Sequence, residues 1–190
     1  MSGHVRCVSI LCAAALSTAA FAEEPSSSEE LGTDVFRQPD GLYDATPHTR
    51  APEASAWIAF NWWPLEVGIS GRYFHPLLPD GFLDELNDSF EIGTGLDFFP
   101  RVFSEFGGME VDIPVEARWT FHLMPKLAVY GKISLGLTIK FGGSYYGPGN
   151  NAMDFWNAAG PGVIYQLSDK MTVQAELTYR GLRGGVAFVF

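Results

Sequence analysis

Beyond residue 22 the chain has no cysteine, because Cys7 and Cys12 are the two in the sequence. Disulfides, thiolate nucleophiles and cysteine-bound metals are therefore closed to residues 23–190. Basic residues are also scarce, with 12 Lys and Arg against 22 Asp and Glu and a net charge of −10. Nucleic acid, whose phosphates need a basic surface, is not an expected partner. Long apolar runs are missing too. The best candidate, residues 8–21, is shorter than the roughly 18–20 residues that a spanning helix needs. Membrane crossing, if it occurs, must be by strands.

What the first residues do contain is an export signal. A short start carrying Arg6 precedes a small, apolar stretch and the Ala20, Phe21, Ala22 cleavage pattern, so residues 1–22 read as a signal peptide removed after Ala22. Leu11 before Cys12 is too large for lipoprotein processing. Cleavage leaves eleven basic residues and a net charge of −11. Residues 23–54 hold eight of the acids together with Pro25, Pro39, Pro47 and Pro52. With so little to bury, they are expected to form a disordered acidic leader. Residues 55–190 make one domain.

That domain divides into about eight strand-like segments with period-two alternation. Leu65, Val67, Ile69 and Tyr73 oppose Glu66, Ser70 and Arg72. Phe90, Ile92, Thr94, Leu96 and Phe98 oppose Glu91, Gly93, Gly95 and Asp97. Residues 111–123 are the cleanest, with Val111, Ile113, Val115, Ala117, Trp119, Phe121 and Leu123 against Asp112, Pro114, Glu116, Arg118, Thr120 and His122. Met124, Pro125 and Lys126 then turn into residues 127–141, where Tyr130, Lys132, Ser134, Thr138 and Lys140 form the polar face. Segments 159–167 and 171–179, a tight reversal over residues 180–185 and a last run over 186–190 complete the set. Segment 55–63 is the weakest. The connection at residues 75–87 is long and is expected to hold a short amphipathic helix capped by Asp80.

Alternation by itself fits a sandwich or a soluble lipocalin-like barrel as well as a membrane barrel. The side that carries the charges has to decide between them, and the polar faces mix both signs, as a closed polar core needs. The apolar faces carry aromatics near strand ends, among them Tyr73, Phe98, Phe121, Phe141, Tyr165, Tyr179, Phe188 and Phe190, as interfacial girdles do. Met171, Val173, Ala175, Leu177 and Tyr179 alternate without a slip, and Val186, Phe188 and Phe190 share one face of the final run. This end resembles the C-terminal signature of bacterial outer-membrane β-barrels, in the OmpA-like and OmpX-like group.

The resemblance implies an eight-stranded antiparallel up-and-down transmembrane barrel in the outer membrane, monomeric, bathed in outer-membrane lipid and lipopolysaccharide. Val186, Phe188 and Phe190 would be the signal read by the barrel-assembly machinery. Short turns at 124–126 and 168–170 would then be periplasmic, and the loops at about 100–109 and 142–158 extracellular.

Eight strands enclose a space that side chains fill. Glu66, Arg72, Glu91, Asp97, Asp112, Glu116, Arg118, Lys132, Lys140, Glu176 and Arg180 are the expected interior network, a salt-bridged plug that excludes a wide pore. A structural or surface-interaction role follows, with Tyr145, Tyr146, Phe155 and Trp156 as the candidate contact loop. A narrow ion or solute channel is the alternative. A lipid-modifying enzyme is a third class, resting on His122 beside Thr120 and Arg118, with Ser134 on the next strand and Glu116 as orienting acid. Asp80, Asp84, Glu85 and Asp88 lack the ligand order of a calcium loop. Gly93, Thr94 and Gly95 lack the third glycine of a nucleotide fingerprint. No cofactor or metal is expected.

Overall fold

A computed structural model describes residues 35–62, 65–100, 108–141 and 152–190. Eight antiparallel strands run in chain order: β1 (Glu53–Trp62), β2 (Leu65–Leu78), β3 (Asp88–Pro100), β4 (Met109–Met124), β5 (Leu127–Phe141), β6 (Ala152–Ser168), β7 (Met171–Leu177) and β8 (Gly181–Val189). Each strand pairs with its neighbour, and β1 pairs with β8, from Glu53 opposite Val189 to Asn61 opposite Gly181. The result is a closed barrel, in which β6 overhangs its partner: β7 pairs with it only from Gly162 to Ser168, and residues 152–161 pair with β5 alone. The eight-strand up-and-down architecture that the resemblance implies is the one formed.

The faces are inverted relative to a soluble barrel. Ile58, Ile69, Leu96, Val115, Ile133 and Leu135 face outward and are exposed, whereas Arg72, Asp97, Asp112, Glu116, Arg118 and Glu176 are buried inside. Where the ladder is paired, backbone donors and acceptors are satisfied within the wall, so such a surface can face hydrocarbon. Tyr73, Tyr165 and Phe188 stand outward near the end that holds the short β4–β5 and β6–β7 turns, and Phe60, Trp62, Phe98 and Tyr179 stand outward near the other.

Inward glycines oppose inward rings. Gly93 pairs with Phe74, Gly136 with Trp156 and Gly162 with Tyr130. A Cβ on Gly162 would lie 2.1 Å from Tyr130 Cζ, and one on Gly93 would lie 2.5 Å from Phe74 Cδ1. Gly93 is thus the room left for a larger neighbour, whereas a Cβ on Gly95 would meet the backbone oxygen of Gly71 at 2.0 Å.

Several boundaries differ from the sequence expectation. β1 starts at Glu53, so the leader ends two residues earlier, and its faintness has a cause: inward Trp57 breaks the polar code, donating to Ser55 Oγ at 2.8 Å. β2 runs on to Leu78, and residues 79–87 form turns instead of the expected helix. There the Asp88 carboxylate accepts from the backbone N–H of Phe82 at 3.0 Å and from Trp119 Nε1 at 2.6 Å. A carboxylate following the segment gathers donors that a helix would have needed. Asp80 caps nothing and accepts from the His48 backbone N–H at 2.7 Å. The reversal assigned to 180–185 is shorter, since Thr178 and Gly181 exchange backbone hydrogen bonds and β8 begins there. β6 begins at Ala152, so Phe155 and Trp156 belong to a strand and not to a loop.

The leader is ordered over residues 35–52, against expectation. The Leu42 N–H donates to Leu123 O, the Asn87 N–H to Leu42 O, and the Phe190 N–H to Pro52 O. Arg50 Nη2 donates to Asn87 Oδ1. Backbone contacts with the turns substitute for the apolar burial that its composition lacks. This end of the barrel is hereafter the turn end. The expected signal peptide, the first part of the leader and Tyr145 and Tyr146 lie outside the described residues.

Candidate functional site

Alternation sends the polar residues of all eight strands into one shared interior, where they meet in three tiers. In the middle tier, Arg72 approaches Asp97 at 2.6 Å and Glu116 at 3.1 Å. Lys132 joins Glu116 at 3.0 Å to Glu176 at 2.5 Å. Arg183 reaches Asp97 at 3.1 Å, Ser134 donates to Glu116 at 2.9 Å, and Tyr130 donates to Glu176 at 3.3 Å. Each carboxylate here serves more than one donor, so removing any cation leaves an acid short of a partner in a low-dielectric space.

Toward the turn end, Arg118 is held between Glu53 at 2.8 Å and Glu91. Its guanidinium lies over the Phe74 ring, 4.1 Å from the centroid, and Gln174 donates to both oxygens of Glu53 at 3.1 Å. Toward the other end, Arg180 meets Asp112 at 3.3 Å and Glu110 at 3.5 Å while covering Trp156 at 4.5 Å. Thr138 donates to Asp112.

Of the eleven expected interior residues, Glu66 is buried on the polar face and nine others are joined by these ion pairs. Lys140 stands apart at the rim, 3.8 Å from exposed Asp154. Sequence reasoning passed over Glu53, Glu110 and Arg183. Glu53 was assigned to the leader and Arg183 to a turn. For Arg183 the signal was available: Leu182, Gly184, Val186 and Phe188 share an outward face, which puts 183 inside.

A cavity of about 370 Å³ opens at the turn end, floored by Arg118 and Glu91, walled by Thr120, His122 and Thr172, and bordered by Arg50 of the leader. Burial draws the Arg50 guanidinium below its ordinary pKa, with Glu91 the foremost opposing influence. His122 Nε2 lies 3.2 Å from the Ser89 hydroxyl, which is fully buried. Glu116, the acid expected to orient His122, is taken instead by Arg72, Lys132 and Ser134. Asp80, Asp84, Glu85 and Asp88 form no metal-ligating group among the described residues. Phe155 is exposed on the outward face, whereas Trp156 turns inward over Gly136.

No protein-family profile and no curated protein matches the chain. Among solved structures, a designed transmembrane β-barrel is similar with 15% identity and a TM-score of 0.51, over 76% of this chain and all of that one. The N-terminal β-barrel domain of Pseudomonas aeruginosa OprF is similar with 16% identity and a TM-score of 0.51, over 75% of this chain and 98% of that one. The fold is that of an eight-stranded transmembrane β-barrel. Neisserial surface protein A aligns with 13% identity and a TM-score of 0.43, over 73% of this chain and 94% of that one. In this barrel the charged groups are buried inside and pair with one another across the lumen.

Proposed function

We propose that the protein is a monomeric outer-membrane barrel with a structural or surface-interaction role, whose filled interior carries no wide solute stream. The inverted distribution of side chains carries this reading: apolar residues cover the outside, and Arg72, Asp97, Glu116, Lys132, Glu176 and Arg183 interlock across the lumen. An interior so filled has no room for a wide aqueous channel. Outer-membrane lipid and lipopolysaccharide are the surroundings that the outward face and its aromatic bands suit. Outward Val186, Phe188 and Phe190 support recognition by the barrel-assembly machinery. With Ser89 buried against His122 and Glu116 committed elsewhere, a non-catalytic role is the better supported one.

Cell fractionation, with gel migration compared before and after boiling, tests the proposal. The protein is expected in the outer-membrane fraction with a heat-dependent shift in mobility, and in planar bilayers it is expected to give no porin-sized conductance. Recovery as a soluble periplasmic protein without that shift would overturn the membrane reading, and large stable currents would overturn the closed interior.

A further inference from the structure

We propose that Asp40, Asp44 and His48 form a binding site for a divalent transition-metal ion of the zinc class, which ties the leader across the turn end of the barrel. The three residues offer one ligand atom each, all within 4.8 Å of one another. His48 Nε2 stands 3.4 Å from Asp40 Oδ1 and 3.6 Å from Asp44 Oδ2. Both separations exceed the usual range of roughly 2.7–3.2 Å for an N–H···O hydrogen bond. Yet the His48 side chain is only 13% exposed. The imidazole is thus held close to both carboxylates without being hydrogen-bonded to either. This imidazole separates the group from an ordinary patch of surface acids.

A metal accounts for the spacing. Tetrahedral bonds of about 2.0–2.1 Å to imidazole and carboxylate place neighbouring ligand atoms about 3.3 Å apart. One nitrogen and two carboxylate oxygens form a mixed donor set that suits zinc and its neighbours, whereas calcium and magnesium prefer oxygen alone. Two carboxylates and a neutral imidazole also balance a dication.

The ligands are fixed from behind. Asp44 Oδ2 accepts from the Asp40 N–H at 2.7 Å, while Asp44 Oδ1 accepts from the Thr46 N–H at 3.1 Å and from its hydroxyl at 2.7 Å. The His48 backbone N–H is bound to Asp80 on the β2–β3 connection. Asp40 is exposed, so its side chain is free to close on the other two. An ion here would close residues 40–48 into a loop already bonded to the barrel at Leu42 and His48. The site lies outside the barrel wall and does not depend on the role proposed above.

Calorimetric titration of the untagged, folded protein in detergent with Zn²⁺, and separately with Ca²⁺, tests the site. One equivalent of zinc is expected to bind, at least tenfold more weakly in His48→Gln and in Asp44→Asn. Affinity is expected to be unchanged in Asp84→Asn, which removes an exposed acid on the neighbouring turn. Co²⁺ in place of zinc should give the intense visible absorption of a four-coordinate ion. Circular dichroism establishes that each variant retains its barrel. Absence of stoichiometric zinc binding, zinc affinity indifferent to both substitutions, or calcium binding as strong as zinc binding overturns the proposal.

Discussion

Arg72 and Asp97 meet at 2.6 Å in the barrel interior with side chains 2% and 0% exposed. Neither partner can be hydrated if the other is lost, and each is engaged again, Arg72 by Glu116 and Asp97 by Arg183. The lumen is therefore held by a continuous chain of charges more than by apolar packing. Four predictions follow from this arrangement and its surroundings.

Glu116 joins Arg72, Lys132 and Ser134, so replacing it takes from each of two buried cations one of its two carboxylates. Glu116→Gln is expected to destabilise the folded barrel by about 3–5 kcal/mol, as in other broken buried pairs. Urea unfolding in lipid vesicles, followed by tryptophan fluorescence, measures this. Glu116→Gln combined with Lys132→Met should recover part of the loss, and no recovery would show that the coupling runs elsewhere.

Ile133 is outward and exposed near the middle of β5, whereas Tyr165 is outward near the turn end. An arginine at the bilayer centre costs about 2–4 kcal/mol, falling to about 0–1 kcal/mol near the interface. Ile133→Arg should therefore lower stability in vesicles well beyond Tyr165→Arg. Equal tolerance at both positions would argue against hydrocarbon around this surface.

Gly162 lies beneath the Tyr130 ring, while an outward Cβ at Gly131 would meet nothing within 4 Å. Gly162→Ala is expected to cost about 1–3 kcal/mol through overpacking. Gly131→Ala should be close to neutral. The same unfolding assay reads both, and a costless Gly162→Ala would contradict the inward ring placement.

Arg50 docks the leader through Asn87, whose side chain is buried. A hydrogen bond to a charged group contributes about 1.5–3 kcal/mol, and about 1.4 kcal/mol is tenfold in an equilibrium. Asn87→Ala should accelerate tryptic cleavage after Arg50 by at least tenfold while the barrel stays intact. Unchanged cleavage would mean that backbone bonds alone hold the segment.

Much of the barrel is legible in the chain because strand alternation is local. Residues 111–123 declare both of their faces without reference to any partner, and in the structure Asp112, Glu116, Arg118 and Thr120 are inside as read. Where one residue breaks the code, reading fails: Trp57 points inward and hid the start of β1, and with it the inward Glu53. Glycines did the same in β8, where Gly184 and Gly185 looked like a reversal and concealed Arg183.

By itself the sequence determined which residues share a face, that the faces differ in polarity, and that eight short strands had to carry the fold. Those properties follow from the period of an extended backbone and need no knowledge of distant residues. Only the tertiary structure decided which charges meet, because closing β1 onto β8 and setting each register brings Arg118 to Glu53 and Arg183 to Asp97 across long separations in the chain. It likewise decided the course of residues 35–52. Their composition offers little to bury, and their order comes from hydrogen bonds to Leu123, Asn87 and Asp80 that exist only once the turns are in place.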